Sequence, residues 1–108
     1  MGKISYIALT LLIIAFSSPV HAQQEEVDSL LQVLKSHKKQ DEAKVNLLNK
    51  IVAAYFDSCD GTEGDSLKVE SGLEYGRKSF YLAEKLNYHK GMALANHRIG
   101  IMRRFRSS

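Results

Sequence analysis

The residues in this chain best suited to chemistry are its histidines, one thiol and a run of carboxylates. His37, His89 and His97 stand in the body of the chain, with His21 near its start. Zinc ligation from a helix wants two such rings four residues apart, as in HExxH, and no pair here has that spacing. Cys59 is the single cysteine, which excludes an internal disulfide framework and a cysteine-rich zinc site. A nucleophilic thiol needs a nearby base and a depressed pKa. The flanking Asp57 and Asp60 act the other way, so Cys59 reads as an incidental loop thiol, with pairing between chains as the alternative.

Residues 57–65, DSCDGTEGD, hold Asp57, Asp60, Glu63 and Asp65. These are hard oxygen donors of the kind calcium takes six to eight of. The ordered alternation of a calcium loop is missing, because aligning Gly64 as the turn glycine puts Cys59 first and Gly61 third. The segment also lacks the Gly-Lys-Ser/Thr close of a phosphate loop, and its acids repel phosphate. It reads as a solvated acidic loop. No GxSxG elbow occurs. The sequence therefore points to no catalytic residues, no metal, no cofactor and no enzyme.

The elements that must position these residues are helices. After Pro19 there is no proline, and no segment alternates with period two. Val27, Leu30, Leu31 and Leu34 form one helical stripe, with Asp28 as its expected cap. Ser36 to Gln40 is a polar hinge. Val45, Leu48, Ile51, Val52 and Tyr55 form a second stripe, which Leu47 widens, and Asp41 and Glu42 favour the positive start of that helix. A third helix is expected from about Ser66 to Leu86, with Val69, Leu73, Gly76, Phe80 and Ala83 on one face. Asn87 is a suitable left-handed stop. A fourth helix starts near Gly91 with Met92, Ala95, Ile99 and Met102 on its face. The expected class is all-α, built of antiparallel helix hairpins.

The start of the chain reads as an export signal. Lys3 precedes Ile4–Phe16, thirteen residues without a charge, and Ser17, Ser18 and Pro19 then break the run. Val20 and Ala22 suit the small-residue positions before a cut between Ala22 and Gln23. A spanning helix needs about 20 apolar residues, so residues 1–22 are expected as a cleaved leader and the product as periplasmic or secreted. The alternative is a membrane anchor formed by the same segment left uncleaved.

The chain's net charge is +3, and its basic residues gather late. Lys90, Arg98, Arg103, Arg104 and Arg106 follow Lys85 with no acid among them. Nucleic acid is not the expected partner, because an exported chain seldom meets it and only Phe105 interleaves as a stacking residue.

Two glycines four apart on a helix, each costing ~1 kcal/mol against alanine, make sense where a neighbouring helix packs. Gly72, Gly76 and Ser79, followed by Phe80, resemble the small-residue pattern of helix B of a tetratricopeptide repeat. Ile51, Val52 and Tyr55 resemble the large–small–aromatic pattern of its helix A, and Ile99-Gly100 resembles the next apolar–small pair. Residues 82–91 are similar to the link between repeats in bacterial sensory proteins of that family. The likeness spans about residues 28–104, although the separation of Val52 from Gly100 exceeds the family's usual repeat of about 34. It implies a leading helix and hinge over 23–40, then a short α-solenoid of about one and a half repeats over 41–108, a truncated relative of the family.

Such solenoids bind along the concave face lined by successive A helices. The resemblance places Asn46, Asn49 and Lys50 on helix two, and His97 and Arg98 on helix four, along that face. Lys50 and Arg98 are the expected anion contacts. The expected function is an exported protein- or peptide-binding module; the resemblance implies, more narrowly, the truncated sensory front end of a signalling protein whose output belongs to a missing C-terminal part or to another chain. The alternative is a small structural helical protein that self-associates through an exposed apolar stripe and takes no peptide.

Overall fold

In a computed structural model of the chain, described over residues 19–107, four helices follow one another: α1 (Pro19–Ser36), α2 (Glu42–Asp57), α3 (Asp65–Lys85) and α4 (His89–Ser107). No strand occurs among the described residues. Short links turn each helix back on its predecessor, so α2–α3 and α3–α4 are antiparallel hairpins. Helices α2 and α4 also touch, both packing on α3, while α1 lies against α2.

The expected leader, residues 1–22, lies for its first eighteen residues outside those described. The expected cut between Ala22 and Gln23 falls within the span of α1. Within the described residues α1 is already helical at Pro19. Asp28 is therefore inside α1 and is not its cap, contrary to expectation. No helix of the described residues is long and apolar enough to cross a membrane.

The links are set by local chemistry. Asp41 has extended backbone, and its carboxylate accepts the Lys44 N–H at 2.9 Å, capping α2. Its Oδ1 also lies 2.8 Å from the His37 ring. At the other end the Ser58 N–H bonds back to the Ala54 carbonyl at 3.0 Å, and its hydroxyl donates to the Tyr55 carbonyl at 2.7 Å. Helix α3 ends as the sequence predicts, with Asn87 at φ 54°. The Tyr88 N–H reaches the Ala83 carbonyl at 2.8 Å and the Asn87 N–H reaches Glu84 at 3.1 Å, the paired bonds of a Schellman stop.

The stripes bury against each other in two clusters. One joins Val52, Val69, Leu73, Ile99 and Met102 from α2, α3 and α4. The other joins Val45 and Leu48 to Leu82 and Ala83, with Leu34 of α1 packed on it. Phe80, expected on the inner face of α3, is only half-buried. The glycines of α3 make the hairpins tight. A Cβ on Gly76 would sit 2.8 Å from Ile99 Cγ1, and one on Gly72 would sit 2.2 Å from Met102 Cε. Gly100 has nothing within 4 Å of such a Cβ and serves no close approach.

Candidate functional site

The five residues expected on one binding face divide into two kinds. Asn46 and Lys50 are exposed on α2, and His97 is exposed on α4. Arg98 is half-buried and donates to the Asn49 carbonyl, which bridges α4 to α2. Asn46 accepts a hydrogen bond from the Tyr88 hydroxyl at 2.8 Å.

Asn49 does not belong to that face. It is 1% exposed, so its side chain is out of reach of any peptide. Its Nδ2 donates to the Gly91 carbonyl at 3.3 Å, and its Oδ1 accepts from the Ser79 hydroxyl at 2.7 Å. The physical reason is position: Val45, Leu48, Asn49 and Val52 stand at i, i+3, i+4 and i+7, so Asn49 is on the inward stripe. That spacing was the signal in the sequence, hidden because the residue is polar. Burying an amide costs free energy unless it is bonded, and Ser79 and Gly91 supply those bonds.

Beside Arg98 lies an open cleft of about 110 Å³ between α2 and α4. Val52, Ala53, Phe56, Ile101 and Met102 form an apolar floor, with Arg98 and Asp57 as its charged lining residues. The Phe56 ring is held edge-on to Phe105, centroids 5.6 Å apart. None of these floor residues was expected as a binding residue. They come together only because α2 and α4 lie side by side on α3.

The acidic loop is shorter than the expected 57–65. Asp57 closes α2 and Asp65 opens α3. The Asp65 carboxylate, buried, accepts the Asp60 N–H at 3.0 Å and the Gly61 N–H at 2.7 Å. Asp60 Oδ1 accepts from the Thr62 N–H and hydroxyl, and these bonds hold the Asp60 pKa below the usual carboxylate range. The carboxylates of Asp65 and Asp60 are thus turned onto the loop itself, Asp65 onto its backbone and Asp60 onto Thr62. Among the described residues, no three His, Cys, Asp or Glu side chains gather as metal ligands. Cys59 is half-buried, and burial first, then the charge of Asp65, pushes its thiol pKa up. The direction matches the sequence reading, but burial, not the flanking acids, is the larger cause.

A second depression was not anticipated. It lies between the α1–α2 link and α3, encloses about 350 Å³, and is lined by Lys44, Lys78 and Lys85 with Tyr75, Tyr81 and Leu48 among its walls. The Lys78 ammonium sits 5.1 Å from the Tyr75 ring centre, and that of Lys85 sits 4.9 Å from Tyr81. Comparison of the chain with family models, curated proteins and solved structures gives no match.

Proposed function

We propose that this chain is an exported helical module of the tetratricopeptide kind that binds a protein or peptide segment across the α2–α4 face. The observation that carries the reading is the cleft beside Arg98. Its floor of Val52, Ala53, Phe56, Ile101 and Met102 suits one aliphatic side chain. Lys50 and His97 stand exposed on the helices that form it, and Arg98 lies at its edge. An apolar pocket with a few charged groups at its edge, here Arg98 and Asp57, is the arrangement that anchors a peptide side chain while the polar groups fix its orientation. Arg98 is pre-positioned by its bond to the Asn49 carbonyl, so little side-chain entropy is lost on binding. The close approach at Gly72 and Gly76 supports the repeat-like reading, because it lets α2 and α4 share one face of α3.

The test is selection of peptides from a displayed library on the immobilised full chain. Captured sequences are expected to share an apolar residue next to an acidic one. Ala53→Glu places a carboxylate in the floor and Arg98→Ala removes the edge cation, and each is expected to lower capture at least about tenfold. Unchanged capture by Ala53→Glu, in a variant with native circular dichroism, overturns the proposal. Export is tested separately. Mass spectrometry of the protein recovered from the periplasm or medium is expected to show a chain starting at Gln23.

A further inference from the structure

We propose that the lysine–tyrosine groove receives the acidic α2–α3 turn of a second copy, so that chains associate head to tail. The two surfaces lie at opposite ends of the α2–α3 hairpin. Lys44 is on the first turn of α2 and Lys85 is the last residue of α3, whereas residues 58–64 join the far ends of the same helices. Sixteen residues of α2 separate them by ~24 Å along the helix. The groove lining is therefore basic and the 58–64 turn acidic within a single molecule, with Lys68 bonded to the Ser58 carbonyl beside that turn.

Both charge and apolar character match. The groove lining carries three ammonium groups and no carboxylate. Lys78 has an exposed partner in Glu74 at 3.5 Å, while Lys85 lies over the Tyr81 ring. The turn presents Asp60 and Glu63, both exposed. Leu67 follows Glu63 by one helical turn and is 76% exposed, the most of any large hydrophobic among the described residues. Tyr81 of the groove is 62% exposed. A leucine that projects beside acids fits a groove whose walls are Leu48 and two tyrosines and whose edge is lysine. Residues 1–18 carry no acid and offer the groove no charge match.

The two surfaces are different patches, so the contact is heterologous and nothing in it limits assembly to a dimer. The groove shares no lining residue with the α2–α4 cleft. Mutation of the groove is expected to leave peptide capture at the cleft unchanged, so failure of one proposal does not carry the other.

The experiment is sedimentation velocity of the full chain over a range of concentrations at low and high salt. Screening shortens from ~30 Å at 0.01 M salt to ~10 Å at 0.1 M, so the average mass is expected to climb with concentration at low salt and to fall back as salt rises. Leu67→Ser, at an exposed position, is expected to weaken association about tenfold or more without loss of helicity. Two reversals make the decisive pair: Lys78→Glu with Lys85→Glu in one chain, Glu63→Lys with Ser66→Lys, both at exposed positions, in another. Each is expected to be monomeric alone, and their mixture is expected to associate, because each then offers the charge the other lacks. A monomer at every concentration and salt, an assembly indifferent to Leu67→Ser, or a mixture of reversals that stays monomeric overturns the proposal. A monomeric chain that still binds a synthetic peptide of residues 57–70 also overturns it, and gives the groove to an acidic segment of another protein.

Discussion

The Ser79 hydroxyl on α3 donates to Asn49 Oδ1 on α2 at 2.7 Å, in a site from which solvent is excluded. The other half of the amide reaches the Gly91 carbonyl at 3.3 Å, at the start of α4. One polar side chain therefore ties three helices, and its value is in orientation as much as in energy. A hydrophobic residue there would pack, but would not fix the register of α4 on α2.

Asn49→Ala is expected to destabilise the chain by about 1–3 kcal/mol, since it leaves the buried Ser79 hydroxyl and Gly91 carbonyl without that partner. Ser79→Ala removes a donor but leaves Asn49 its bond to Gly91, and about 1 kcal/mol is expected. Urea unfolding of both variants and of the double variant checks this. The coupling energy is expected to be at least about 0.5 kcal/mol, the range for residues in one hydrogen-bond network.

The glycines of α3 give a second prediction. Gly76→Ala brings a methyl to 2.8 Å from Ile99 Cγ1, on a β-branched side chain that turns with difficulty. Overpacking of that sort costs about 1–3 kcal/mol, which exceeds the ~1 kcal/mol that alanine returns in helix propensity. At Gly72 the nearer obstacle is Met102 Cε, the end of a flexible chain that can swing aside. Gly76→Ala is therefore expected to lower the thermal midpoint more than Gly72→Ala, although the raw approach at Gly72 is closer.

The helical stripes and the stop at Asn87 were legible in the sequence because they depend on residues near one another in the chain. Val45, Leu48 and Val52 declare an inward face by spacing alone, and Asn87 declares a left-handed residue by type. The close approach at Gly72 and Gly76 was legible for a related reason, since their helix cost demands a compensating contact. Asp28 was misread as a cap because a stripe marks where a helix is buried, not where it begins. Asn49 was misread because hydrophilic type outweighed its position. The apolar floor beside Arg98 and the lysine–tyrosine groove were not legible at all. Each draws residues from elements whose relative placement only the packed structure supplies.

Acid should loosen α2 through Asp41. Its carboxyl pKa is held below the usual carboxylate range, first by the bond with His37 and then by that from the Lys44 N–H. A group whose folded pKa is depressed stabilises above its unfolded pKa, about 3.9, and that contribution is lost as pH falls through the lower folded value. Thermal midpoints measured from about pH 5 downwards are expected to fall less steeply in Asp41→Asn than in the parent, because asparagine still caps the helix but cannot be protonated. Equal slopes would show that the His37–Asp41 contact of 2.8 Å is not populated in solution.

Gly61 and Gly100 separate backbone conformation from space. A Cβ added to either meets nothing within 4 Å, so sterics against neighbours predict the same mild outcome for alanine at both. Their backbones differ. Gly61 has φ +86°, where an L side chain is strained, and its N–H is one of the two held by the buried Asp65 carboxylate. Gly100 lies inside α4. Gly61→Ala is expected to cost about 1–2 kcal/mol, by the penalty of the left-handed region. Gly100→Ala is expected to gain about 0.4–1 kcal/mol, because alanine loses less backbone entropy in a helix. Urea midpoints that move in opposite directions would confirm that the 58–64 turn is held in the bonded form that Asp65 enforces. Equal shifts would mean that Gly61 relaxes to negative φ in solution, and the turn that presents Glu63 and Leu67 would then be a different shape.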